Sequence, residues 1–332
     1  MSLQDFESLA VQLFPSACRL LICSGGEPYL HNGLEDTLRI AKRYRFFTFV
    51  SSNGMLATEQ RLRPIVLERL ISEHGFSVDG AKPATVESIR VKAKLDAIVE
   101  NIRNLIRIRD GVGRQQPVIV IRYALMRCNI EEAPEAVRMW GEIGVDRIDC
   151  GCLSLANDID PNECLFFHRE LMERVRAETL AVARHYPRLE VSLPALILHQ
   201  VQRKEHPSPC PYPWSFVYID TNGTVLPCYC AYEGMQMGKI YGDGGAPFPE
   251  IWNGPAYRRL RARVNEDSVD KSFKYCDVCE YRFGWGDLAA HLGDQTWIAA
   301  LSDSKRELIN IDHRRGKRRS AAERPKRLAG SG

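Results

Sequence analysis

The chain has 332 residues, 45% of them hydrophobic, with 45 basic against 42 acidic side chains and a formal net charge of +3. That apolar content fills one large core and a smaller one, and a charge this close to balance calls for no nucleic acid or other polyanion. No apolar run approaches the roughly 20 residues that span a bilayer, and the acidic, amphipathic N-terminus is unlike a secretory signal. Eleven cysteines, an odd number, with no export signal, set the expected location as the cytoplasm, where thiols hold metal rather than cross-link.

Ser2 to Phe14 reads as a helix, with Ser2 and Asp5 as a capping box and Leu3, Phe6, Leu9 and Leu13 at helical spacing. A strand over Cys18–Cys23 follows, ending in Ser24-Gly25-Gly26-Glu27-Pro28. A helix is expected from Asn32, with Glu35 in the capping-box position. Phe46–Val50 is the next strand, closing on Ser51-Ser52-Asn53-Gly54, before a helix carrying Leu62, Val66, Leu70 and Ile71 that Gly75 would stop. Phe76–Gly80 reads as a strand end, and one long helix is expected to carry Val91, Leu95, Ile98, Ile102, Leu105 and Ile106. Strands at Val118–Ile121 and Val145–Ile148 flank a helix over about 133–143, and a helix near Cys164–His185 precedes a last strand, Leu189–Leu193.

Strands alternating with helices of this length imply parallel βα units, as an open sheet or a barrel. In both, ligands bind at the C-terminal ends of the strands. Gly25-Gly26-Glu27, Asn53-Gly54, Asp79-Gly80 and Asn129 all fall at such ends. Any one such cluster is ordinary turn chemistry; four in step with four strands mark a pocket. Arg122 and Tyr123, also at a strand end, fit cofactor contact or a rim salt bridge.

After Leu193 the composition changes. Pro194, Pro207, Pro209, Pro211 and Pro213 mark a linker, and a cysteine- and aromatic-rich domain runs from about 207 to 292 with short strands at Phe216–Asp220 and Thr224–Leu226. Residues 303–332 form a basic tail, expected to be disordered and solvated. Cys210, Cys228 and the C-x2-C pair Cys276 and Cys279 are spaced as ligands of one iron–sulfur or zinc centre. Zinc sites of four cysteines usually show two short knuckles, whereas Cys210 and Cys228 are a hairpin-sized loop apart, which favours iron–sulfur. Cys230 is read as a neighbour rather than a ligand, Cys128, Cys150, Cys152 and Cys164 as small buried hydrophobes, and the eight histidines show no ligand spacing.

These residues resemble the radical S-adenosylmethionine enzymes with a C-terminal SPASM/twitch-type domain. The resemblance rests on Gly25-Gly26-Glu27-Pro28, Ser52-Asn53-Gly54 and Ser77-Val78-Asp79-Gly80. In the C-terminal part it rests on Cys210-x-x-Pro213-Trp214, Asn222-Gly223, Pro227-Cys228, Gly238-Lys239-Ile240, Ile251-Trp252-Asn253, Leu260-Arg261 and Cys276-x-x-Cys279. It implies an α/β fold: a partial (β/α)6-type TIM barrel over residues 1–200 with its first unit missing, plus a small cysteine-rich SPASM/twitch domain over 207–292. It implies S-adenosylmethionine held by Gly25, Gly26 and Glu27, with Asn53, Ser77 and Asp79 lining the same pocket. The types suit that ligand: glycines admit close backbone approach, and a carboxylate pairs with the methionyl ammonium. It further implies an auxiliary [4Fe–4S] cluster on Cys210, Cys228, Cys276 and Cys279, hydrogen abstraction from a small molecule or peptide, and an electron donor such as ferredoxin or flavodoxin.

Two departures stand out. The family's C-x3-C-x2-C motif, expected ahead of the first helix, is absent, so the chain reads as one truncated just past it or degenerate. S-adenosylmethionine and a second [4Fe–4S] cluster are expected only where that motif is restored. Trp285 stands where larger SPASM domains carry a further cysteine, which points to one auxiliary cluster, as in the twitch-type branch. The rival reading is a non-catalytic iron–sulfur or zinc-binding partner protein that keeps the fold. No catalytic residue is assigned.

Overall fold

The computed structural model describes residues 1–22, 25–153, 160–165, 168–194, 209–228, 235–266 and 276. Helix α1 (Leu3–Leu13) starts at the expected capping box: Asp5 N–H donates to Ser2 Oγ, and Asp5 accepts from the Ser2 N–H. Six strands then alternate with helices: β1 (Arg19–Ile22), α2 (Leu34–Lys42), β2 (Phe47–Ser52), α3 (Glu59–Leu67), β3 (Glu73–Ser77), α4 (Pro83–Ile89), α5 (Leu95–Gly111), β4 (Val118–Leu125), α6 (Ala133–Ile143), β5 (Arg147–Cys152), α7 (Arg169–Ala183) and β6 (Glu190–Ser192). All six pair in parallel, in chain order from β1 to β6. The alternation implies these parallel βα units, and their sequential strand order is that of the partial (β/α) barrel expected from the family resemblance.

Side-chain alternation gives the sheet two unlike faces. Val50, His74 and Ile119 share one cross-strand row, and Phe76, Ile121 and Ile148 the next. These pack with Leu62, Ile98, Ile102 and Leu105 from the helices into one core cluster. Each large side chain removed from water there contributes about 1.5–3 kcal/mol. The opposite face carries Glu73, Gly75, Ser77, Arg122, Arg147 and Asp149, and is the polar side of the barrel.

Several local expectations change. The capping box at Asn32 and Glu35 does not form: Gly33 is the N-cap of α2, and Glu35 instead pairs with Arg61 at 2.5 Å. Gly75 does not stop a helix; α3 ends eight residues earlier and Gly75 sits inside β3. It is there because a Cβ would lie 2.8 Å from Phe49 Cζ. The long helix splits into α4 and α5, and Val91 between them is 85% exposed. Lys92 takes a positive φ of 66°, which breaks the helical path despite the periodic apolar pattern.

The C-terminal part contains α8 (Tyr212–Ser215), a three-stranded antiparallel sheet of β7 (Tyr218–Ile219), β8 (Thr224–Leu226) and β9 (Gly238–Lys239), then α9 (Phe248–Trp252) and α10 (Pro255–Arg263). The β7–β8 turn closes on Asp220 Oδ1, which accepts from Asn222 and Thr224 N–H, with Gly223 at φ +82°. This region shares a second core cluster with α1: Phe6, Leu9, Ala10 and Phe14 pack with Val225, Met237, Ile251, Tyr257 and Leu260. Gln12 Oε1 also accepts the Phe248 N–H at 2.8 Å. The first helix of the chain is therefore a wall of the C-terminal core. The basic tail lies outside the described residues.

Candidate cofactor pocket and cysteine site

Glu27 stands just past β1, where Pro28 opens a single 3-10 turn that Glu27 itself caps. Its Oε1 accepts from Tyr29 N–H at 3.1 Å and from Ser52 Oγ at 2.8 Å, and its Oε2 accepts the Asn53 N–H at 2.8 Å. The carboxylate thus ties the ends of β1 and β2 together while staying half-buried at the strand tips. A carboxylate has room for about four acceptor contacts, so this bracing leaves capacity for an ammonium. Asn53 turns back on its own backbone, Oδ1 accepting the Met55 N–H at 2.9 Å. Gly54 must be glycine there: φ is +80° and a Cβ would lie 2.9 Å from Ile98 Cγ2. Gly25 has φ +98° and an open flank, where a Cβ would first meet Tyr218 Oη at 3.9 Å. Gly26 is exposed. The end of β1 thus lies beside the first strand of the C-terminal domain.

Ser77 is half-buried at the end of β3, in register with Arg122. Asp79 is brought into a different set. Its Oδ1 accepts the Ala124 N–H at 2.8 Å and its Oδ2 pairs with Arg90 at 2.7 Å. Burial pushes its carboxyl above the ordinary range, against the pull of Arg90 and the Ala124 amide. Asn129 is wholly buried next to it, donating to the carbonyls of Asp79 and Ala124 and accepting the Met126 N–H. Glu27 and Asn53 are joined directly; Asp79 and Asn129 instead lock the β3 and β4 ends to each other.

One feature of the polar face escapes a reading by spacing. Glu73, Arg122, Asp149 and Arg147 close a four-membered ion ring, with contacts of 3.2, 3.0, 3.0 and 2.8 Å in turn. Arg122 also lies 4.9 Å above the Phe49 ring. The ring forms a charged floor below the strand tips. Its members sit on three strands, and only β-sheet register aligns them. Tyr123 faces the other way, its hydroxyl donating to the Asn129 carbonyl at 2.7 Å.

In the C-terminal domain Cys210 is buried and belongs to the second core cluster, and Cys228 and Cys276 pack against that cluster. Cys210 N–H donates to Asn265 Oδ1 at 2.8 Å, which ties the residue after Pro209 to the end of α10. The cysteines at positions 210, 228 and 276 thus belong to or border one apolar core. Cys279 and Cys230 lie outside the described residues. Among the described residues no group of three or more His, Cys, Asp or Glu stands close enough to hold a metal ion. The same core cluster contains Val225, Met235, Met237 and Tyr257, and among the described residues the buried Tyr257 hydroxyl has no hydrogen-bond partner. Among the described residues no helix is long and apolar enough to cross a membrane.

A parallel half-barrel with polar strand tips, joined to a small antiparallel domain whose cysteines belong to or border one core, defines a class. Residues 210–280 match the SPASM family, described as an iron–sulfur cluster-binding domain. The PqqA peptide cyclase of Gluconobacter oxydans is 24% identical over 292 residues, covering 84% of this chain and 74% of its own length. A tungsten-containing aldehyde ferredoxin oxidoreductase cofactor-modifying protein of Pyrococcus furiosus is 28% identical over 134 residues, covering 40% of this chain. The chain spans 37% of that relative's length. Streptococcus suis SuiB bound to S-adenosylmethionine superposes with a TM-score of 0.60 at 17% identity, over 80% of this chain and 61% of SuiB. anSMEcpe with bound AdoMet gives 0.59 at 11% identity, over 82% of this chain and 76% of its own. The chain has the radical S-adenosylmethionine barrel fold and carries a SPASM domain, which implies an iron–sulfur cluster.

Proposed function

We propose that this chain is a radical S-adenosylmethionine protein with an auxiliary-cluster domain, which oxidises or rearranges a peptide. The division of labour is a barrel over residues 1–200 and a cluster domain over 207–292. The observation that supports the reading is the SPASM match over residues 210–280, within which Cys210, Cys228 and Cys276 belong to or border one apolar core, together with a barrel whose Glu27 sits braced at the strand tips. Cys279, three residues after Cys276, supplies the fourth thiolate of one all-cysteine [4Fe–4S] centre.

When bound, such a cluster supplies one-electron transfer and, with four cysteine ligands, no open iron. S-adenosylmethionine supplies the hydrogen-abstracting chemistry where a C-x3-C-x2-C cluster accompanies it. This chain's own part is to bind and orient. Gly25 and Gly26 let the ligand approach the backbone, Glu27 accepts from the methionyl ammonium, and Asn53, Ser77 and Asp79 border the pocket. The Glu73–Arg122–Asp149–Arg147 ring keeps the floor polar with both signs paired.

A peptide substrate is favoured over a small molecule by the relatives: one is a PqqA peptide cyclase, and SuiB and anSMEcpe have been solved with bound peptides. The required electron is assigned to a ferredoxin or flavodoxin. Anaerobic purification with iron and sulfide quantification tests the cluster. About four of each per chain are expected. Stoichiometric zinc without sulfide would instead establish the non-catalytic metal-binding protein, and a colourless, metal-free chain after reconstitution would remove both.

A further inference from the structure

The turn that carries Glu27 is gripped from behind by one side chain. Arg61 lies in the first turn of α3, and its three nitrogens make four hydrogen bonds across that turn. Nη1 donates to the Tyr29 carbonyl at 2.9 Å and Nη2 to the His31 carbonyl at 2.9 Å. Nε and Nη2 hold the two oxygens of Glu35, at the start of α2, at 2.5 and 3.1 Å. The guanidinium carbon stands 5.4 Å from the centroid of the Tyr29 ring. Arg61 and Glu35 are both half-buried, so their pairing is less screened than a surface ion pair.

Tyr29 links that grip to the carboxylate. Its carbonyl accepts from Arg61, and its N–H donates to Glu27 Oε1 at 3.1 Å. Its side chain is anchored too, with the buried hydroxyl 2.7 Å from His74 Nε2. The other two donors to Glu27, Ser52 Oγ and the Asn53 N–H, come from the tip of β2, the strand that leads into α3. One βα unit therefore holds both the Glu27 carboxylate and the backbone behind it. The bonds from β2 orient the two oxygens, and those from Arg61 fix the place from which the turn presents them. A rigid fork of five N–H donors can span two carbonyls and a carboxylate; the single ammonium of a lysine cannot.

We propose that Arg61 is a positioning residue for the Glu27 carboxylate, and through it for the amino group of the ligand that Glu27 receives. This rests on the role proposed for Glu27 above. Arg61 acts through the turn of residues 28–31 rather than on the ligand. A carboxylate that shifts or swings loses most of a charge-assisted hydrogen bond, because that bond depends on short and aligned contact. The loss falls on recognition of the amino group and spares the adenosine part of the ligand.

Calorimetric titration of the full chain with two ligands is the test. S-adenosylhomocysteine carries the amino group; 5′-methylthioadenosine shares the adenosine and the thioether but lacks it. Arg61→Lys is expected to weaken S-adenosylhomocysteine about tenfold and to leave methylthioadenosine within about twofold, with thermal melting showing a folded chain. Glu35→Gln loosens the guanidinium while keeping both of its carbonyl bonds, and is expected to weaken S-adenosylhomocysteine selectively by a smaller factor. It carries the test should Arg61→Lys not fold. Equal weakening of both ligands would make Arg61 a purely structural residue, and unchanged S-adenosylhomocysteine affinity would take it out of the site; either overturns the proposal. Loss of that ligand in Glu27→Ala but not in Arg61→Lys overturns the positioning role alone. A parent chain that does not bind it, or Glu27→Ala that binds it equally well, overturns the Glu27 reading and this one together.

Discussion

Glu27 Oε1 accepts the Ser52 hydroxyl at 2.8 Å, fastening the tip of β1 to the tip of β2. With the Asn53 and Tyr29 amides it completes a set of three donors on one carboxylate. Hydrogen bonds to a charged acceptor contribute about 1.5–3 kcal/mol. Glu27→Ala is therefore expected to lower unfolding free energy by a few kcal/mol and abolish binding of S-adenosylhomocysteine, which shares the methionyl amino group. Ser52→Ala removes one of the three donors and is expected to cost about 1 kcal/mol with binding largely kept. Urea denaturation and calorimetric titration read both. Equal ligand affinity in Glu27→Ala and the parent chain removes Glu27 from the pocket.

The proposed cysteine site makes a demand on each of its members separately. Cys228→Ser and Cys276→Ser are each expected to cut iron after reconstitution well below the parent level, because a missing thiolate opens one corner of the centre. Cys150→Ser, at a residue packed against the barrel core cluster rather than the C-terminal one, is expected to leave iron unchanged. Iron retained in full by both C-terminal variants counts against the assigned ligands.

His74 gives the barrel a dependence on pH. It is wholly buried, with its Nε2 2.7 Å from the Tyr29 hydroxyl and its ring stacked on Phe76. Burial lowers its pKa from the ordinary 6.5 to about 3. The unfolded chain takes up a proton below about pH 6.5 that the folded chain refuses. Its contribution is therefore complete above that pH and declines as pH falls toward 3, by up to about 1.4 kcal/mol per unit. Urea denaturation at pH 7 and pH 5 is expected to show a shallower decline in His74→Gln than in the parent. Parallel declines would assign the acid sensitivity elsewhere.

Gly75 is held small by its neighbour. A Cβ there would come within 2.8 Å of Phe49 Cζ in the middle of a paired strand. Gly75→Ala is expected to cost about 1–3 kcal/mol by overpacking, and Phe49→Leu in the same chain to recover part of it. Thermal melting of the two variants decides. Additive losses would show that the two side chains do not meet.

Cys128 is exposed yet expected to react slowly. Burial first, then its bond to Glu163, push the thiol up to about 11 from an ordinary 9. The thiolate is the reactive form, so alkylation at pH 8 is expected to run about a hundredfold below a normal thiol. Glu163→Gln is expected to speed it, as read by peptide mass spectrometry. A rate matching that of Cys18 would rule the effect out.

Local pattern was enough for five of the six strands, all but β3, for α6 over Ala133–Ile143 and for the capping box of α1, because each is written within a few residues. The glycine and carboxylate at the end of β1 were legible for the same reason: a left-handed glycine and a turn-capping Glu27 are local chemistry. Propensity misled where space ruled. Gly75 looks like a helix stop until Phe49 is set against it, and Val91 continues an apolar rhythm that Lys92 breaks. The ion ring of Glu73, Arg122, Asp149 and Arg147 depends on register between strands dozens of residues apart, which no window along the chain contains.

Sequence by itself determined the βα alternation, the tips that carry glycine and carboxylate, and the four cysteines at ligand spacing. Tertiary structure alone decided that α1 is a wall of the C-terminal core and that Cys210, Cys228 and Cys276 belong to or border that core, with the Tyr257 hydroxyl and Arg261 Nη2 buried there without a partner among the described residues. The reason is physical. Backbone preferences act over a few residues, whereas burial and hydrogen-bond satisfaction are settled only when distant segments exclude water from one another.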